Sequence, residues 1–183
     1  MQLVSKQFEV KTINSALTAD VINSLNTIQT SADGTKSIGL NIESASGKIS
    51  NAVSILEGIH KSDVDYTTTA SGELGLPAII LLAGAKPGER AANVTATFNF
   101  SGATTKVTKK GKVLNDTGNF VLEILKTFTG KKSSKIKSLM LSGAKVTASE
   151  MKSLGLIDTI QGGFVDKYLQ GRKVTKKVTK KGK

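Results

Sequence analysis

The 183-residue chain has no cysteine, no tryptophan, one histidine and two prolines, and only 4% of it is aromatic. Without cysteine there is no disulfide, no thiolate nucleophile and no thiolate metal site, and the redox compartment is left open. The longest apolar run, residues 76–85, falls short of the roughly 20 residues that span a bilayer. The first ten residues, "MQLVSKQFEV", have no uninterrupted apolar segment, so no secretory signal is expected. No G-x-G-x-x-G follows an early strand, which disfavours dinucleotide binding, and no Walker phosphate loop occurs.

Acidic residues are also scarce, 14 against 26 lysines and arginines, for a net charge of +12. The excess is local. Residues 106–112 hold four lysines and no acid, and residues 172–183 hold seven basic residues and no acid. Elsewhere 15 basic residues face 14 acidic ones, so the body is nearly neutral. The two segments share the heptad "KVTKKGK", at 106–112 and 177–183. Such a repeat reads as low complexity with self-repelling lysines, and no packed structure is expected from it in isolation. The expected division is one domain over residues 1–171, with a basic loop at 106–112, and a lysine-rich tail at 172–183. Lys106, Lys109, Lys110, Lys112, Arg172, Lys173, Lys176, Lys177, Lys180, Lys181 and Lys183 are candidates to meet a nucleic-acid surface or an acidic protein. The bland alternative is a solvated, solubilising tail. No aromatic or arginine interleaving is present to read bases.

Periodicity supplies the elements. "FEVKTI" (8–13) alternates as a strand. "TADVINSLNTI" follows as a helix capped by Thr18, with Val21, Ile22, Leu25 and Ile28 on one face. "SADGT" (31–35) is a turn by composition. Ile38, Leu40 and Ile42 mark a strand, and "ESASGK" (43–48) reads as a tight turn. Ile49, Val53, Leu56 and Ile59 lie at helical spacing. "DVDYTTTA" is a strand, and "SGELGLPAIILLAGAK" turns into a helix with Pro77 near its start. Val94, Ala96, Phe98 and Phe100 alternate and predict one continuous strand. "DTGNFVLEILKTFTG" reads as a helix with Phe120, Val121, Ile124, Leu125 and Phe128 inward and Gly130 as its stop. "SSKIKSLML" is a short helix. Thr147 and Glu150 have capping-box spacing, and Gly155 ends that helix. "LIDTI" is extended. Strand–helix alternation in the first half predicts right-handed βαβ units, a largely parallel α/β sheet, and a helical second half.

The order of these elements resembles the proteolytic subunit of the Clp protease family, closest to its short phage and prophage branch. The carrying stretch is "LEILKTFTGKKSSKIKSLMLSGAKVTASEMKSLGLIDTI", with Thr129-Gly130, the Thr147 cap and Gly155-Leu156-Ile157-Asp158. "GLNIESASGKISNAVSILEGI" and "LLAGAK" (81–86) add to it, and the similarity spans about residues 8 to 165. The resemblance implies a ClpP/crotonase-like spiral of βαβ units. It implies a homo-oligomeric ring, a Clp or phage assembly partner, and a cytoplasmic or virion-associated location. No membrane contact and no cofactor are expected.

The same resemblance implies a serine nucleophile, a histidine and an aspartate, and this chain departs at each. The nucleophile position falls on Leu74 when aligned from the strand and on Gly75 when aligned from "LLAGAK". The motif itself would place Glu73 there. The histidine position falls on Asn99, and the aspartate position on Leu139, between Ser138 and Met140. A catalytically inactive structural, assembly or regulatory subunit is therefore the leading expectation, with a phage virion or prohead component as one form. The alternative is a diverged serine peptidase using Ser71, with Lys86 as a distant base. Serine catalysis needs a base within about 2.6–3.2 Å of the hydroxyl. The only histidine, His60, lies in "EGIHKSD" and reads as a helix-terminal surface residue. The Ser46-Gly47 turn matches the family's oxyanion-hole segment, though Gly47 also suits a plain βα turn. Glu43 and Glu73 could meet, but no third ligand completes a metal site. Crotonase-type acyl-CoA chemistry finds no acid/base set with distinctive spacing.

Overall fold

The computed structural model describes residues 4–30, 36–102, 104–129 and 133–162. The expected turn at 31–35, the stop at Gly130 and the basic tail at 172–183 lie outside the described residues. In chain order the elements are β1 (Val4–Ile13), α1 (Ser15–Thr30), β2 (Lys36–Gly47), α2 (Ile49–Ser62), β3 (Asp65–Ser71), β4 (Glu73–Leu74), α3 (Leu76–Ala83) and β5 (Arg90–Asn93). They continue with β6 (Thr97–Asn99), β7 (Thr105–Thr108), β8 (Gly111–Leu114), α4 (Asp116–Thr129), α5 (Ser133–Ser142), β9 (Lys145–Thr147), α6 (Ala148–Leu154) and β10 (Thr159–Gln161).

Five strands form a curled, wholly parallel sheet in the order β1-β2-β3-β5-β10. A smaller sheet, β4-β6-β9, joins β4 to β6 in parallel and β6 to β9 antiparallel. Parallel neighbours need crossovers, and α1, α2 and α3 supply them. The α1–α2 contact is close because Gly58 has no side chain: a Cβ there would sit 2.2 Å from Ile22 Cδ1.

Helix α3 fixes the centre of the molecule. All eight of its residues are buried. Two hydroxyls from β3 tie its last turn to the sheet, Tyr66 donating to the Leu81 carbonyl at 2.6 Å and Thr68 to the Leu82 carbonyl at 3.0 Å. Burial pushes the Tyr66 phenol well above its ordinary value. Gly84 ends the helix where a Cβ would lie 2.4 Å from Leu56 Cδ2.

The "GLID" segment has a physical role. Gly155 (φ 77) closes α6, and the chain then brings Asp158 onto Arg90 of β5. Asp158 Oδ1 and Oδ2 accept from the guanidinium at 2.6 and 2.8 Å, and Oδ2 also takes the Gly88 N–H at 2.8 Å. Arg90 is only 5% exposed. Its guanidinium, as the largest influence, holds the Asp158 carboxyl below the usual range.

Several expectations are corrected. Asn14, not Thr18, caps α1: its Oδ1 accepts the Leu17 N–H at 2.9 Å, while the Thr18 hydroxyl donates back to the Asn14 carbonyl. Residues 43–47 are not a turn but the bulged end of β2, where the register jumps from Val10↔Ile42 to Thr12↔Ser46. The alternating run 94–100 is not one strand. A turn at Val94-Thr95, where Asn93 Oδ1 accepts both the Thr95 N–H and its hydroxyl, separates β5 from β6 and sends them to different sheets. Asx turns of this kind compete with the ladder. Phe120 faces outward, 52% exposed; α4 buries Gly118, Val121, Leu122 and Leu125 instead. A Cβ at Gly118 would lie 2.1 Å from the Thr104 carbonyl, so the glycine face must turn inward. Finally, residues 106–112 form a paired β-hairpin, β7–β8, rather than an unstructured arm.

Candidate functional site

The corner between β3 and α3 is built by three successive constraints. Ser71 ends β3, half-buried and in register with Glu43 of β2. Gly72 turns at φ 73, a conformation that favours glycine. Glu73 and Leu74 then pair with Thr97 and Phe98. Leu74 is fully buried, whereas Gly75 is the N-cap of α3. The Gly75 N–H donates to the Ala45 carbonyl at 3.0 Å. A side chain at Gly75 would meet only Ala45 O at 3.6 Å and Pro77 Cδ at 3.9 Å, ordinary contacts. Of the three candidate corner positions, Glu73 is exposed, Leu74 packs the core and Gly75 stands where a short side chain fits.

Three polar side chains converge beside this corner. The register of the small sheet sets Asn99 opposite Lys145, and the Thr97 pairing places Glu73 nearby. Lys145 Nζ lies 2.8 Å from Glu73 Oε1, and Asn99 Nδ2 donates to the same oxygen at 3.3 Å. Asn99 Oδ1 accepts the Ser101 N–H at 2.9 Å, which fixes the amide orientation. The Lys145 hydrogen bond first, then that of Asn99, keeps the Glu73 carboxyl below its ordinary range. The trio thus holds a carboxylate with reduced basicity, an ammonium and an oriented amide. Lys145 is the member that sequence reasoning missed; its only signal was its place two residues before the capping Thr147.

The other sequence candidates do not join them. Lys86 lies 2.6 Å from Asp65, the first residue of β3, while Ser71 is the last. Six strand rises separate them by about 20 Å. Hydrogen bonding to Asp65 also raises the Lys86 ammonium, the wrong direction for a base. His60 is exposed near the end of α2 and shares a small cavity with Gly84 and Lys86. Gly84 follows α3 and Gly75 precedes it, so about 13 Å of helix intervenes. Leu139 is buried in α5, with Met140 beside it in the core and Ser138 exposed.

Gly47 has φ 148, and a Cβ there would approach Ile13 O to 2.1 Å. Close packing of β2 on β1 requires a glycine at this position. Glu43 and Glu73 each face their own lysine, Lys11 at 3.7 Å and Lys145 at 2.8 Å. Among the described residues no group of three or more histidines and acids is positioned to hold a metal ion, and no helix is long and apolar enough to cross a membrane.

The curled parallel sheet, the strand-to-helix corner and the six helices of the described residues define a ClpP-type α/β fold. The family model described as Clp protease matches residues 4–163, and the chain belongs to that family. Its fold is similar to the crystal structure of the ClpP protease catalytic domain from Plasmodium falciparum, with a TM-score of 0.68 and 18% identity over 87% of this chain and 86% of that one. No curated protein matches the chain significantly.

Proposed function

We propose that this chain is a Clp-protease-family protein without peptidase activity, acting through its surfaces as an oligomeric structural, assembly or regulatory subunit. The carrying observation is the Glu73–Asn99–Lys145 trio beside a corner occupied by glycine. On this reading Gly75 stands at the nucleophile position, Asn99 at that of the histidine and Leu139 at that of the aspartate. An amide tied to a carboxylate cannot accept a proton near neutral pH, and a leucine cannot orient an imidazole. The candidate serine, Ser71, has neither His60 nor Lys86 within reach.

Membership of a ring-forming family supports a homo-oligomer. A virion or prohead component is the form that the resemblance to the phage branch favours. The test is cleavage of casein or a fluorogenic peptide, by the chain alone and with a Clp ATPase. This reading expects no turnover and no serine labelling by a fluorophosphonate. Turnover that Ser71→Ala abolishes would establish the diverged peptidase instead.

A further inference from the structure

The lysine hairpin has a geometry that selects a partner. β7 and β8 pair antiparallel, with Lys106 opposite Val113 and Val107 opposite Lys112. Thr108 closes the tip, its hydroxyl donating to the Gly111 carbonyl at 2.8 Å and accepting the Lys110 N–H at 3.3 Å. Gly111 adopts φ 112. Leu114 anchors the base in the core, while every residue from 106 to 112 is exposed.

Side chains alternate across a strand, so directly opposed residues share a face. Lys112 therefore lies on one face with Val107, and Lys106 lies on the other. Lys109 and Lys110 occupy the tip. None of the four enters an ion pair among the described residues. The sequence carries no acid between Glu89 and Asp116. The ribbon thus presents cations on both faces and at its end.

We propose that this hairpin inserts into a groove of duplex nucleic acid and neutralises phosphates on both walls, without reading base sequence. A two-stranded ribbon fits the major groove, about 12 Å wide. Strands of four residues extend about 13 Å, enough for a groove about 8.5 Å deep. A flat anionic surface would engage one face and leave the other face's lysine in solvent; a groove engages both. Lysine is a point charge without the bidentate fork that arginine offers a guanine. The contacts are therefore positional rather than sequence-reading. Val107, 85% exposed, adds apolar surface beside Lys112 that insertion into a groove removes from water. The inference does not depend on whether the body cleaves peptides.

Fluorescence anisotropy of the full chain with a mixed-sequence 20-base-pair DNA and with polyglutamate, across a salt series, tests it. The variants are Lys106→Gln, Lys112→Gln, and both combined with Lys109→Gln and Lys110→Gln. All keep residues 172–183, so the tail's contribution cancels. Neutralising four contacts should flatten the slope of log affinity against log salt for DNA by about 3 to 4, and each single change should flatten it by about 0.9. All variants should melt like the parent, because the four side chains are solvated. An unchanged slope in the fourfold variant overturns the proposal. So does an effect confined to one of the two single variants, which indicates a ribbon lying flat. Equal loss of polyglutamate binding assigns the hairpin to an acidic protein instead.

Discussion

Asn99 donates its amide to Glu73 Oε1 at 3.3 Å, and Lys145 meets the same oxygen at 2.8 Å. The carboxylate is solvated and the pair is exposed, so its worth to stability is small. Its importance is chemical. It fills a polar convergence beside the β3–α3 corner with groups that are poor proton acceptors near neutral pH.

The Glu73 titration reads this arrangement directly. In the native chain its carboxyl should titrate below the ordinary glutamate range, because Lys145 and then Asn99 stabilise the charged form. Lys145→Met should move it back up toward the ordinary glutamate range. Any stability from the pair is present above that ordinary value and disappears as pH falls through the depressed one. Carbon-detected NMR across pH 2 to 6 measures the shift; identical titrations in both proteins would show that the ion pair does not form in solution.

Gly75→Ser should fold without loss. The site has room for a Cβ, and serine is a better N-cap than glycine by a few tenths of a kcal/mol. A small rise in Tm is expected, with no gain of peptidase activity, because the groups beside the corner are a carboxylate of lowered basicity, an ammonium and an amide rather than a histidine. A drop of several degrees would mean the corner is more tightly packed than these contacts allow.

Asp158→Asn should cost about 3 kcal/mol, since it leaves the buried Arg90 guanidinium without its counter-charge. The pH dependence has a definite sign. The Asp158 carboxyl is depressed in the folded state, so its contribution is complete above about pH 3.9 and is lost as pH falls through the folded value. Urea melts at pH 7 and pH 3 should therefore separate the two proteins widely at pH 7 and bring them closer at pH 3. A constant gap across that interval contradicts the linkage.

Thr104 is fully buried, and among the described residues its hydroxyl has no hydrogen-bond partner. Thr104→Val removes that unsatisfied group at nearly constant shape and should stabilise the chain by about 1 kcal/mol. Chemical denaturation gives the sign; destabilisation would reveal that the hydroxyl has a partner in solution, such as a bound water.

Much of the scaffold was legible because it rests on local rules. The Thr147–Glu150 capping box, the Gly155 stop, the proline-started α3 and the parallel βαβ order follow from spacing and turn chemistry. The errors share a cause, which is long-range packing overriding a local pattern. Residues 94–100 alternate as one strand would, yet the Asn93–Thr95 turn splits them between two sheets. "ESASG" is rich in turn formers, but pairing with β1 holds it as a bulged strand. Lysine repulsion argues against structure at 106–112, yet antiparallel pairing and the Leu114 anchor make a hairpin. At the corner, sequence alone left Glu73, Leu74 and Gly75 as alternatives; their different burial, exposed, buried and half-buried, follows from the β4–β6 pairing that no local pattern announces. Lys145 was invisible because only the β6–β9 register brings it to Asn99.

The measurement that bears most directly on the central claim is fluorophosphonate labelling combined with peptide turnover, on the full chain with a Clp ATPase and ATP. The account predicts no adduct on any serine and no cleavage above the ATPase alone. A stoichiometric adduct on Ser71, with cleavage lost in Ser71→Ala, would contradict it.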